Sequence, residues 1–228
     1  MSQVSLPRRL VRKIRKLLRR PGYWITARRL SRDGFDRIHG TDTNRLLETR
    51  SRLGIPVHRY ETASASAILA ALDSVPLDLT GFTFIDLGCG KGKPLLIAAG
   101  YPFRRVIGVD ISEPCLTITR QNLAKSGRDH RVELVVADVL EYELPAGPLL
   151  IYLFNPFPAP VVEHVVSRLV KRLQESSEQM VIVYMYPKFA DVIERTGAFE
   201  RVAQIPGREA PHERADIFLS QNALASRA

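Results

Sequence analysis

Cysteine is scarce: Cys89 and Cys115 are the only two in 228 residues. That excludes a disulfide-stapled scaffold and points to a reducing, cytoplasmic compartment. No run of about 18 apolar residues occurs, so no membrane-spanning helix is expected. The start lacks the uncharged apolar stretch of a secretory signal; an Arg-rich, acid-poor amphipathic start is also a property of organellar transit peptides. His39, His58, His130, His164 and His212 are scattered without ligand spacing, and no metal site is expected. Internal repeats and low-complexity segments are absent as well. What is present is ordinary for a soluble chain: 45% hydrophobic and 25% charged residues, and enough length for one domain with an appendage.

Acid is missing from one place in particular. Residues 1–52 hold 15 of the 33 basic residues and 4 of the 24 acidic ones, a balance of +11, whereas the remainder of the chain stands at −2. Within residues 5–20, SLPRRLVRKIRKLLRR, the side chains of Leu6, Leu10, Ile14, Leu17 and Leu18 recur every three or four positions. On a helix they form one apolar stripe flanked by eight basic residues and no acid. Pro21 and Gly22 end that helix. Three settings suit it: an extension docked on its own domain or left in solvent, an anionic membrane surface, or the phosphates of a nucleic acid. Tyr23 and Trp24 just beyond it favour the membrane surface over a groove, and so a peripheral membrane location within the cytoplasm. Residues 23–58 are mixed and polar, broken by Gly34, Gly40 and Gly54, and are expected to form short helices of a cap. The reading divides the chain into a basic helical arm and cap over 1–58 and a nearly neutral domain over 59–228.

From Thr62 onward the pattern becomes regular. Thr62 is the expected N-cap of a helix running to about Val75, with Ile68, Leu69 and Leu72 inward. Apolar runs at 82–87, 105–110, 131–138, 149–155, 180–186, 199–205 and 215–221 read as strands. Helical stretches at about 92–100, 112–126 and 158–175 separate the earlier ones, with Ser112 capping the second. Strands buried on both faces and alternating with helices make a doubly wound α/β sheet. Only a short loop, 206–214, separates the last two strands, which suits an antiparallel hairpin. Seven strands with that ending are one too many for the six-stranded dinucleotide-binding order.

The strongest chemical signal is Asp86-Leu87-Gly88-Cys89-Gly90-Lys91-Gly92, where a first strand turns into a first helix. Small residues there let a ligand approach the backbone, and free N–H groups at a helix start face acceptor groups. Position 93 is Lys, which breaks the dinucleotide pattern G-x-G-x-x-G; Leu87 and Pro94 break the phosphate-binding P-loop. The remaining pattern, D-x-G-x-G-x-G, resembles the first motif of class I S-adenosylmethionine-dependent methyltransferases. Polar residues follow at successive strand ends: Asp110, Asp138 and Asn155. The segments FDRIHGTDT (35–43), RYETAS (59–64) and FIDLGCGKGK (84–93) further resemble small bacterial members of unassigned substrate, over about residues 33–205. Ala63, where those sequences often carry Pro, and Lys93-Pro94 are departures, the proline being tolerated in a first helical turn.

That resemblance implies a seven-stranded Rossmann-like methyltransferase sheet, mostly parallel with a C-terminal antiparallel hairpin and an N-terminal helical extension. It implies S-adenosylmethionine as cofactor and an unidentified methyl acceptor, with a protein amine or small molecule favoured. Gly88, Cys89, Gly90 and Gly92 would line the methionine moiety, with Asp86 near its amino group. Asp110 and neighbouring Ile111 would meet the ribose side, and Asp138 and Val139 the adenine. Asn155 would stand beside the transferred methyl. Tyr60 is a candidate contact to the cofactor carboxylate or acceptor. Glu61 is a candidate base or holder of a cationic amine, the alternative for both being a helix-entry staple without chemistry. Asn155-Pro156-Phe157-Pro158 departs from the N-P-P-[YF] signature of amine methylases, which puts a nucleic-acid base as acceptor in doubt. Cys89 reads as a space-filler, and Arg168, Lys171 and Arg172 as a solvated helix face. A non-catalytic module of the same fold, binding membrane or nucleic acid through residues 5–20, is the alternative function; a nucleotide-dependent oxidoreductase is disfavoured by Lys93.

Overall fold

The computed structural model describes residues 34–43, 62–154, 157–207 and 213–226. The expected arm helix over 5–20, the division at residue 58, and Tyr60, Glu61 and Asn155 lie outside the described residues. Seven strands form one sheet in the order β3-β2-β1-β4-β5-β7-β6. At its centre, β1 (Thr83–Leu87) runs parallel to β2 (Arg105–Asp110) and to β4 (Leu149–Phe154). Strand β3 (Val132–Val136) extends the parallel part beyond β2, and β5 (Met180–Met185) extends it beyond β4. The expected C-terminal hairpin is present, but it folds back on itself. Strand β7 (Ala215–Ser220) lies antiparallel between β5 and β6 (Phe199–Ile205). Composition explains that order. Every residue of β7 is buried, so it belongs inside the sheet, whereas β6 exposes Glu200 and Gln204 and tolerates the edge.

Helices cover both faces. Strand periodicity sends Phe84, Leu150, Val181 and Ile217 to one face, and Ile85, Ile151, Ile182 and Phe218 to the other. The first face packs against α2 (Ala65–Asp73), α3 (Lys93–Ala98) and α4 (Glu113–Lys125), the second against α5 (Ala159–Glu175) and α6 (Ala190–Glu194). A final short helix, α7 (Gln221–Ala225), returns Ala223 to the first core. Ahead of the sheet, α1 (Gly34–His39) buries Phe35, 2% exposed, in that same core. Part of the expected cap therefore packs on the domain.

The helix before β1 begins later than expected. Its N-cap is Ser64, not Thr62: the Ser64 hydroxyl accepts the Ala67 N–H, and the helix spans Ala65–Asp73. The Ser64 N–H is itself held by the buried carboxylate of Glu213, 3.1 Å away and far along the chain. Ser112 caps α4 as expected, accepting the Cys115 N–H. Two other expectations shift slightly. Strand β3 stops at Val136, so Asp138 lies two residues beyond its end, where its carboxylate accepts the Leu140 N–H and forms a turn. Arg168 and Arg172 are not merely solvated. Arg168 donates to the carbonyls of Val139, Leu140 and Tyr142, and Arg172 to those of Leu144 and Gly147 and to Glu178, so both brace the 138–148 loop. Lys171 beside them is exposed.

Candidate functional site

The glycine segment leaves β1 at Leu87 and turns over the carboxyl end of the sheet into α3. Gly88, Gly90 and Gly92 adopt φ of 81°, 53° and 79°. Gly92 has a second reason to lack a side chain. A Cβ there would stand 2.5 Å from the Thr119 methyl of α4. Gly108 on β2 is likewise closed in: its Cβ would meet Leu95 of α3 at 2.4 Å. Removing that side chain lets the short helix settle on the sheet and draws the turn close to Asp86, whose strand partner is Gly108.

The loop is wired tightly. Gly88 and Cys89 N–H groups donate to the Val109 carbonyl, Gly90 N–H to Asp110 Oδ2 at 2.8 Å, and Gly92 N–H to the Cys89 carbonyl. Four amides expected to face a ligand are thus satisfied within the protein, and carboxylates carry the site's polarity. Asp110 uses its other oxygen on the Ser112 N–H at 2.8 Å. An ionised carboxylate has about four lone-pair positions, so two remain for hydroxyl donors. Burial pushes the Asp110 carboxyl up from its ordinary range, opposed by these two backbone bonds.

Asp86 is different. It is 2% exposed, and its Oδ2 has no hydrogen-bond partner among the described residues. Burial foremost, and then the neighbouring Asp110 charge, raise its carboxyl well above the ordinary value. A buried acceptor left this way is costly unless something cationic or hydrogen-bonding reaches it. Cys89 is buried, and burial followed by the Asp86 and Asp110 charges pushes its thiol well up, which makes it an inert space-filler. Past Asp110, Ile111 is 70% exposed and Leu140 40%, an apolar rim beside the carboxylates. Val139 packs in the second core with Tyr142 and Leu144 and lines a recess with Leu87, Val165 and Arg168.

The structure thus gathers Asp86, Gly88, Cys89, Gly90, Gly92 and Asp110 around one turn, with Ile111, Asp138 and Val139 at the next strand ends. The acceptor side is described only in part. Phe154 ends β4 beside Met185 of β5, and Tyr186 follows with φ 48°, its N–H held by the Arg214 carbonyl at 2.7 Å. Sequence reading missed the residues that hold the loop from α4. Thr119 donates to the Gly90 carbonyl and Asn122 to that of Lys91, and both are buried. Their only trace in the sequence is polar spacing of three on the inward side of an amphipathic helix. Among the described residues no group of three metal-ligating side chains occurs and no helix is long and apolar enough to cross a membrane.

Residues 84–176 match the family described as Methyltransferase domain. The rRNA N(6)-adenosine-methyltransferase metl-5 of Caenorhabditis elegans is 33% identical over 114 residues, 48% of this chain and 53% of that protein. The ribosomal protein L11 methyltransferase of Vibrio cholerae serotype O1 is 38% identical over 82 residues, 32% of this chain and 28% of its own length. The chain thus spans about half of one relative and under a third of the other. Among solved structures, the N-methyltransferase NodS of Bradyrhizobium japonicum WM9, in complex with S-adenosyl-l-homocysteine, superposes with a TM-score of 0.51 at 14% identity, over 69% of this chain and 85% of that one. The glycopeptide N-methyltransferase MtfA, complexed with S-adenosyl-L-methionine, gives 0.50 at 14% identity, over 68% and 92%. At such identities they establish the fold.

Proposed function

With residues 84–176 forming a class I S-adenosylmethionine-dependent methyltransferase domain, we propose that the chain is an enzyme moving a methyl group from S-adenosylmethionine to an amine nitrogen of a protein or small molecule. One observation carries the cofactor assignment: the orphaned, buried Oδ2 of Asp86 beside a glycine turn, with Asp110 and an apolar rim further along. That order of groups suits a ligand with an ammonium at one end, a ribose diol in the middle and an aromatic base at the other.

The cofactor's sulfonium supplies an electrophilic methyl, and this chain's residues orient and screen it. Asp86 meets the ammonium, Asp110 accepts the two ribose hydroxyls, and Ile111 and Val139 flank the adenine. Held there, the cofactor would supply its methyl to the acceptor's lone pair and leave as the neutral thioether, and these residues would set the approach of the two. The proton lost by the acceptor nitrogen passes to a base, for which Glu61 is the candidate. Asn155 is proposed to stand beside the transferred methyl, and Tyr60 to contact the cofactor carboxylate or the acceptor. The relative named for adenosine N(6) methylation supports a nitrogen acceptor, while Phe157-Pro158 weakens the case for a stacked nucleic-acid base. The named relatives are methyltransferases, and nothing favours a non-catalytic module. We propose as well that the chain divides at residue 58 and that residues 5–20 meet an anionic partner.

Calorimetry with S-adenosylhomocysteine tests the cofactor assignment. We expect micromolar binding, weakened at least tenfold by Asp110→Ala through loss of charge-assisted hydrogen bonds. No binding at high micromolar ligand, or NAD binding in its place, overturns the reading.

A further inference from the structure

Residues 34–43 are joined to the glycine turn through Asn122 and, beside it, through Lys91. Asn122 of α4 is 1% exposed and spends its whole amide. Its Oδ1 accepts the Asp42 N–H at 2.8 Å, and its Nδ2 donates to the Asp42 carbonyl and to the Lys91 carbonyl, both at 3.0 Å. Lys91 then reaches back over the same junction. Its side chain is fully buried, and its Nζ lies 3.2 Å from both oxygens of the Asp42 carboxylate.

The segment that meets Asn122 is itself rigidly built. Asp36 accepts the hydroxyls of Thr41 and Thr43 at 2.7 Å and the Thr43 N–H at 3.0 Å, so one carboxylate at the start of α1 ties down the turn that follows it. Phe35 is sunk in the core below, with the His39 ring tilted against it at 49° and their centroids 4.6 Å apart. On the other side, α4 anchors two successive loop carbonyls, Gly90 through Thr119 at 2.7 Å and Lys91 through Asn122. A trans peptide places N–H opposite C=O, so pinning the Gly90 carbonyl to α4 turns the Lys91 N–H away from that helix. The loop's peptide planes, and hence the surface it offers Asp86's ligand, are set from α4 and from the segment behind it.

We infer that residues 34–43 act as a latch on the cofactor loop and that Asn122 is the positioning residue through which the latch sets cofactor affinity. The inference rests on the cofactor reading above. Its physical basis is that Asn122 has no spare partner. If the segment lifts, a buried donor and acceptor lose their bonds together, and a buried unsatisfied group is costly. Loop geometry and segment docking are therefore coupled, and the coupling is reciprocal. A ligand that needs the ordered loop must also tighten the segment.

The experiment uses the full chain, S-adenosylhomocysteine as probe, calorimetry for affinity and hydrogen-exchange mass spectrometry for the segment. In the unaltered chain, saturating ligand should slow exchange over residues 36–43. Asn122→Ala should weaken the ligand about tenfold and abolish that slowing. Phe35→Ala, which loosens the segment while leaving the Asn122 hydrogen bonds to the loop in place and removes only the ring 6.0 Å beneath Lys93 Nζ, should also weaken the ligand several-fold and keeps the test open if Asn122→Ala folds poorly. A merely structural Asn122 would lower the thermal midpoint and leave the affinity of the folded chain within twofold; that result, or exchange over 36–43 indifferent to ligand, overturns the latch. Failure of the unaltered chain to bind S-adenosylhomocysteine overturns the cofactor reading itself, and the latch with it.

Discussion

Two aspartates are buried in the same sheet, one on its central strand β1 and one on β7 beside its edge, and their surroundings differ in kind. Asp216 on β7 is fully buried, with Oδ2 taken by Arg201 at 2.9 Å and Arg214 at 3.1 Å and Arg201 held in turn by Glu194 at 2.7 Å, while its Oδ1 has no hydrogen-bond partner among the described residues. Asp86 on β1 is as deeply placed, its Oδ2 likewise without a hydrogen-bond partner among the described residues, and no described basic side chain pairs with it. Burying a carboxylate is unfavourable wherever it happens. At Asp216 the fold supplies the counter-charge itself; at Asp86 no described residue does. The contrast separates a carboxylate that serves the fold from one that waits for a ligand.

Charge removal should therefore act in opposite directions at the two aspartates. Asp86→Asn should cost about thirtyfold in S-adenosylhomocysteine affinity, the worth of one charge-assisted contact of about 2 kcal/mol. It should not destabilise the ligand-free chain near neutral pH. The sign follows from linkage. Burial raises the Asp86 carboxyl in the folded protein, so the folded state holds its proton to higher pH than the unfolded chain does. Stability is then undiminished below the ordinary carboxylate pKa and falls as pH rises above it. Asn carries no such proton, so thermal midpoints of the variant should gain on the unaltered chain as pH rises from about 4 to about 8. Midpoints running in parallel would break the comparison.

Asp216→Asn should do the reverse, lowering stability and sparing ligand affinity. Breaking a buried pair costs roughly 3–5 kcal/mol. Here Arg201 is 32% and Arg214 46% exposed and can turn to water, so we expect about 1.5 kcal/mol in urea unfolding. An affinity loss as large as that of Asp86→Asn would show that the two sites are not separate. The ligand's ammonium adds a smaller test. Ionised Asp86 binds it and protonated Asp86 does not, so affinity in the unaltered chain should rise as pH climbs above the ordinary carboxylate range, with proton release, and stay flat in Asp86→Asn.

How far the sequence led differs between the regions for the same physical reasons. The glycine turn was legible because spacing alone excludes its rivals: Lys93 breaks one pattern, and Leu87 with Pro94 another. Strands were legible because β4 and β5 are apolar throughout and β1 and β7 carry apolar runs at their centres. The N-cap at Ser64 was not, because Thr62 and Ser64 satisfy the same local rule, and a carboxylate 149 residues away selects between them. The junction at Asn122 was equally hidden, since its partners lie 80 and 31 residues distant. At five residues each, α6 and α7 are too short for helical periodicity to register. The position of β7 inside the hairpin follows from its burial, but only once the alternative of placing β6 there is weighed.

The smallest effect we predict lies where a charged helix face turned out to have two roles. Arg168 and Lys171 are neighbours on α5, yet Lys171 is exposed and Arg168 donates at 3.2 Å to the Val139 and Leu140 carbonyls and at 2.6 Å to that of Tyr142. These three carbonyls belong to the turn that follows Asp138, on the proposed adenine side. Arg168→Met keeps an apolar stem in the recess with Leu87 and Val165 and removes the donors, so the turn loosens without a cavity opening. Affinity for S-adenosylhomocysteine should fall about threefold, as expected for hydrogen bonds that act through a loop and not on the ligand. Because the loosened turn borders the base, adenosine alone should weaken by the same factor. Lys171→Met should change neither. A loss seen with S-adenosylhomocysteine but not with adenosine would move the 138–142 turn away from the base and leave Asp86 and Asp110 as the anchors of the ligand's other end.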